Sequence, residues 1–369
     1  MFTLLLAACA AGAGRRQTAP PRLEESWLAY QHRFLQSDGR VIDRRAQDIS
    51  TSEGQAYAML RAVWLDDRAA FDKAHTWALN NLNRGVRKDH LWAWKWGKDA
   101  DGRWHALDPA FATDADQDAA LALILASDVW REPGYLSEAR AVLADLWKQA
   151  VIRVASRCYL LAGDSLCKGS DCRVNPSYYA PYAYRIFARH DKNHSWDQMA
   201  AASYPFLAEV SRLTATHLPP DWVQLDAGSG ALSLGDDKSS AFSYDAFRTF
   251  WRVALDYELN HGPDAAAYLQ KNLSWIIRRW TANGSIPAVI GASGAPRAEY
   301  QSYEMLAALL PAVSLSNPGV AAAMAGKLDS IYLKGLWGED DAYYLQNWAW
   351  FGTALYQHYL GPLTRYATR

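Results

Sequence analysis

Phe111-Ala112-Thr113-Asp114-Ala115-Asp116-Gln117-Asp118-Ala119-Ala120-Leu121-Ala122-Leu123-Ile124-Leu125-Ala126 runs on to Trp130. Its apolar residues recur at helical spacing, and the alanines from Ala119 onward let neighbouring helices approach closely. Its head holds three acids within five residues. Capping and the helix dipole account well for one acid in such a position and poorly for three.

The same periodicity spreads outward from this helix. Helices are predicted over 23–35, 54–64, 68–82, 116–130, 138–154, 178–190, 196–216, 244–260, 265–281, 300–315, 321–332 and 343–359. Alternating strands are few: 222–225 and 231–234 read as a hairpin around the Gly228–Gly230 turn. Long Gly/Asp/Trp-rich stretches at 85–114, 163–177 and 219–243 join the helix pairs, and long loops inside a helical domain usually carry function. The reading is an all-α toroid with its loops gathered at one end. No composition break divides residues 22–369, so they form one domain.

The 38 basic and 39 acidic residues are interspersed and leave a net charge of −1. That excludes the basic footprint of a nucleic-acid binder and favours a neutral or polar partner. The chain holds 17 Trp and 20 Tyr. Much of this is core, but Trp92-Ala93-Trp94-Lys95-Trp96 and Trp348-Ala349-Trp350 are the equipment of a groove whose flat apolar faces suit sugar rings.

Residues 2–8 are apolar and run into Cys9, and Leu6-Ala7-Ala8-Cys9 resembles the site where bacterial lipoproteins are cleaved and acylated. Residues 1–21 are read as an export segment and tether, which makes the chain an exported, periplasmic protein, lipid-anchored if Cys9 is acylated. The other cysteines match no zinc spacing; Cys167–Cys172 and Cys158–Cys167 are both open as local disulfides. No metal motif, nucleophile elbow or phosphate loop occurs, and no cofactor is expected.

What remains is carboxylates among aromatics. Thr51-Ser52-Glu53-Gly54-Gln55 lies at a helix start with Thr51 or Ser52 as cap. Read alone, Glu53 is a dipole-favoured carboxylate; as a general acid it needs apolar shielding, for which Tyr57 and nearby tryptophans are available. Ser243-Tyr244-Asp245-Ala246-Phe247-Arg248 again sets an acid at a helix start, with an arginine three residues on. Glu53, Asp114 and Asp245 would all point into one end of the toroid.

These segments resemble glycoside hydrolase family 8. Ala112-Thr113-Asp114-Ala115-Asp116 and the helix to Trp130 follow that family's signature, departing at Ala119, where the family usually has Ile or Met. Ser52 to Gln55, Asn175-Pro176-Ser177-Tyr178 and Tyr244 to Arg248 match further blocks, in order. Gly39 to Asp43, Ala93 to Lys98, Pro220 to Val223 and Asp341 to Tyr344 are most similar to the periplasmic endoglucanase encoded with bacterial cellulose synthases.

The resemblance implies an (α/α)6 barrel with a substrate cleft across one end, and an inverting endo-β-1,4-glucanase working during cellulose synthesis and secretion. It implies Glu53 as general acid, Asp245 as general base, Asp114 as the aspartate holding the distorted sugar, and Tyr178 beside the catalytic water. Trp94, Trp96, Arg248, Gln55, Asp116, Tyr244 and Trp222 are its expected substrate contacts. Inversion places the two carboxyls about 6.5–9.5 Å apart. The partners it implies are a β-1,4-glucan chain and the cellulose synthase or secretion complex. A xylanase, mixed-linkage glucanase or chitosanase, or a non-catalytic glucan-binding component, are the alternatives.

Overall fold

The structure, a computed structural model, describes residues 17–164 and 166–368. Six helices form an inner ring: α2 (Ser52–Leu65), α4 (Thr113–Trp130), α6 (Pro181–His190), α8 (Arg248–Asn260), α11 (Tyr303–Ser316) and α13 (Tyr343–Tyr356). Each packs on the next around the ring, and Tyr57 closes it with edge-on contacts to Trp348 and Phe351. Outside them lie α3 (Arg68–Ala78), α5 (Pro133–Ala150), α7 (Trp196–Arg212), α9 (Pro263–Asn272) with α10 (Ser274–Asn283), and α12 (Pro318–Asp329). The last inner helix, α13, takes α1 (Pro21–Phe34) as its outer partner. This is the (α/α)6 barrel that the sequence led us to expect.

Inner helices such as α2 and α4 are covered on nearly all sides. In α2, 12 of 14 residues are buried, which leaves no polar face and explains its weak amphipathic pattern. Backbones meet where side chains vanish: a Cβ on Gly352 of α13 would sit 2.1 Å from the Ala307 carbonyl oxygen of α11.

The long inter-helix stretches are not irregular. The 85–114 stretch carries β2 (Ala93–Lys98) and β3 (Trp104–Phe111), which with β1 (Ser50–Thr51) make a three-stranded antiparallel sheet. β6 (Cys167–Lys168), β7 (Asp171–Val174), β8 (Val223–Asp226) and β9 (Leu232–Leu234) make a four-stranded sheet. The hairpin read at 222–234 is its outer half, with Leu225 facing Leu232. Trp, Lys and Gly on β2 obscured its alternation, and β1 is too short to leave one.

Elsewhere the predicted helix over 138–154 stops at Ala150, because Val151, Ile152 and Val154 form β4 (Val151–Val154) against β5 (Arg157–Leu160). Their β-branched side chains favour the strand. The helix over 265–281 breaks at Leu273 into α9 and α10. A last hairpin, β10 (Tyr332–Leu333) with β11 (Leu336–Trp337), follows α12.

Of the three cysteines after Cys9, Cys167 and Cys172 form the disulfide and Cys158 is a buried thiol. Cys9 and the export segment before residue 17 lie outside the described residues. Within the tether, Gln17 is already bonded to the backbone of His358 and Leu360. Among the described residues no helix is long and apolar enough to cross a membrane.

Candidate active site

β1 delivers the chain straight into α2, where the Thr51 hydroxyl accepts the Gly54 N–H at 3.1 Å and caps the helix. Glu53 thus stands in the first turn of α2. β3 likewise feeds α4, whose first turn holds Asp114. Asp245 comes three residues before α8, so the helix predicted over 244–260 starts later than its sequence suggests. The reason is Asp221. Its Oδ1 accepts the backbone N–H groups of Ser243, Asp245 and Ala246 at 3.1, 3.2 and 2.7 Å, and its Oδ2 accepts the Ser243 hydroxyl. A carboxylate so engaged holds the segment as a turn and aims Asp245.

Arg248, the first residue of α8, joins these elements. Its Nη1 donates to Glu53 Oε2 at 2.6 Å and to Asp114 Oδ2 at 2.9 Å, and its Nη2 donates to Asp245 Oδ1. The other Asp245 oxygen accepts the indole N–H of Trp222 at 3.0 Å. The Tyr178 ring lies 5.4 Å from the guanidinium carbon and edge-on to Trp222. The structure therefore brings Glu53, Asp114, Asp245, Tyr178, Arg248 and Trp222 together. One turn deeper, Arg252 holds Asp118 through both guanidinium nitrogens at 2.9 and 2.8 Å, repeating the α4–α8 pairing in the core.

One cation facing three carboxyls cannot satisfy all of them as anions. Burial pushes the Glu53 carboxyl up to about 7; Arg248 opposes this, and Asp114 and Asp245 reinforce it. Burial also raises Asp114, against the pull of Arg248 and Arg252. Glu53 nevertheless keeps 23% of its side chain exposed, so a ligand can reach it. Tyr57, buried beside it, pulls the carboxyl the other way through its hydroxyl, and burial outweighs that pull. Asp221 is likewise raised to about 7 by burial and by the neighbouring Asp245.

A cavity of about 750 Å³ opens beside Asp245, lined by Trp222, Tyr244, Arg173 and Arg297 among others. Tyr244 is 37% exposed there. Trp94 and Trp96 are half-buried on β2. The remaining two expected contacts are turned inward. Gln55 is fully buried and bonds the backbone of Gly39, Val41 and Ala74. Asp116 is buried and accepts the Trp92 N–H at 2.9 Å. Both hold cleft-forming segments in place and touch no open surface. The role of Asp221 is not legible in the sequence, since no spacing signals an acid 22 residues before the turn it holds.

A toroid of paired helices with an acid kept near neutrality opposite a hydrogen-bonded carboxylate is the equipment of glycoside hydrolysis. Glycosyl hydrolases family 8 matches residues 1–313, and the chain belongs to that family. An endoglucanase of Pseudomonas fluorescens is 32% identical over 70% of this chain, and one of Escherichia coli K12 is 33% identical over 62%. The matched stretches span 66% and 62% of those relatives' own length. The solved endo-1,4-D-glucanase of Vibrio fischeri superposes with a TM-score of 0.77 at 26% identity, covering 90% of this chain and 94% of that one. The endo-β-1,4-glucanase CMCax of Acetobacter xylinum gives 0.74 at 25% identity over 92% of this chain and 100% of that one.

Proposed function

We propose that the protein is an inverting endo-β-1,4-glucanase. The observation that carries this is the Arg248 fork, which holds Glu53 and Asp245 on separate nitrogens while burial keeps Glu53 protonated toward neutral pH. Glu53 donates its proton to the leaving glycosidic oxygen. Asp245, fixed by Arg248, Trp222 and the turn on Asp221, takes a proton from the water that attacks the opposite face of the sugar. Asp114, nearly buried beside Arg248, holds the distorted ring, and Tyr178 borders the water. The relatives' shared naming as endoglucanases supports a β-1,4-glucan as substrate.

E53Q should lower reducing-sugar release from carboxymethylcellulose at least a hundredfold while cello-oligosaccharide binding persists, since acid–base catalysis contributes about 10²–10⁴-fold. Activity within tenfold of wild type would remove Glu53 from that role. Proton NMR of the first-formed anomer tests inversion: an α-product supports it, a β-product refutes it.

We place the enzyme outside the cytoplasm, because the Cys167–Cys172 disulfide suits an oxidising compartment, and on nascent cellulose beside its synthase, from the family blocks above. Membrane association that is lost on deleting residues 1–16 supports a lipid anchor at Cys9, and an unchanged distribution refutes it.

A further inference from the structure

The β2–β3 hairpin starts at the active site and ends in an aromatic stack that the reaction above leaves unused. Phe111 of β3 lies three residues before Asp114, and the eight-residue strand runs back from it to Trp104. At roughly 3.4 Å per residue this carries Trp104 about 24 Å from Phe111, a span of several sugar units. Trp104 is 43% exposed. Behind it Trp96 stacks at 5.0 Å and 18°, and Trp77 meets Trp96 edge-on.

The ring is held rigidly. Arg40 is buried, with its guanidinium carbon 4.5 Å from the Trp104 ring and 4.4 Å from Trp96, and its Nε bonds Ser50 Oγ at 2.9 Å. The hairpin tip is fixed by Asp99, whose carboxylate accepts the N–H groups of Asp101 and Arg103 and the Arg103 side chain. A lone exposed leucine needs no explanation, but an indole face pinned by a second indole and a buried cation has its ordering entropy settled in advance. At the tip Arg103 is paired with Asp99 and Asp101, and the Lys98 ammonium lies 5.9 Å from the Trp104 ring, so the exposed indole suits an uncharged, hydroxyl-bearing ligand with flat C–H surfaces.

We propose that Trp104 is a stacking platform for a distal sugar of a long β-glucan chain whose scissile bond lies at Glu53. This rests on the glucanase reading. W104A should raise KM on carboxymethylcellulose about three- to tenfold, the range of an aromatic contact of this kind, with kcat unchanged. Cleavage of cellotetraose, too short to reach the hairpin tip, should stay within twofold, and W104F should restore the polymer KM. In the E53Q background, W104A should weaken retention on a soluble cellulose gel to the same degree. An unchanged polymer KM and retention would overturn the proposal, as would equal losses on both substrates or a fall in melting temperature that W104F does not reverse. If wild-type enzyme cleaves no glucan, the glucanase reading fails by itself, while retention of E53Q still decides the platform.

Discussion

Arg248 concentrates the chemistry in one side chain. Burial lowers its charge affinity, but Tyr344, Asp245, Tyr57 and Asp114 outweigh that and keep it a cation. R248M would leave three carboxyls facing each other without a counter-charge, and removing one partner of a buried ionic group costs about 3–5 kcal/mol. We expect a lower urea midpoint and at least a hundredfold lower kcat. Asp221 acts through another residue: D221A releases the turn that aims Asp245, so kcat should fall about a hundredfold with KM within threefold. Glu53, raised to about 7, should set the alkaline limb of kcat/KM, with activity lost as pH rises through that value; a limb unaffected by E53D would assign it elsewhere. Glu53 and Asp245 were legible as acids near helix starts, but their partnership was not. It depends on an arginine reaching α2 and α4 at once, which no local spacing encodes.

At the scale of elements, the helices were readable even where burial leaves no polar face, as in α2 and α4, and their boundaries failed where β-branched runs such as Val151–Val154 met a helix end. The strands of the two sheets were mostly illegible, since β1 and β6 have two residues each and draw their stability from neighbours. These sheets matter: one feeds Glu53 and Asp114, and the other braces Trp222, over which Arg173 of β7 lies at 4.7 Å. The disulfide closes the β6–β7 turn over a separation of five residues. Loop-closure entropy for so short a ring is about 2 kcal/mol, so C167S/C172S should lower the melting temperature with kcat/KM within threefold. G352A drives a methyl into the α11 backbone, and overpacking of this kind costs up to about 3 kcal/mol. Calorimetry should show a lower melting temperature for it than for A354G, which opens space in the same helix.

The whole molecule carries an unusual proton balance. Burial raises the carboxyls of Glu53, Asp114, Asp116 and Asp221, and desolvation raises Asp43. Below about pH 4 these groups are protonated folded or unfolded. Between there and about 7 the unfolded chain releases protons that the folded one keeps, so stability falls as pH rises through that window. His190, lowered by burial, opposes this with one proton. The urea midpoint should therefore drop from pH 5 to pH 7.5, and E53Q/D221N should flatten the slope; a rising midpoint would contradict this balance.

The pairing of α1 with α13 has a consequence for how the molecule comes into being. Five of its helical pairs are made from neighbouring stretches of chain, but the sixth joins the two ends: Trp350 donates its indole N–H to the Leu23 carbonyl across 327 residues. Closing so long a loop carries an entropic cost that must be met before the contact forms. Until α13 is in place, Tyr57, which lies beside Glu53, has neither Trp348 nor Phe351 against it. On the glucanase reading proposed for this chain, catalytic competence therefore requires both ends of the chain to be docked.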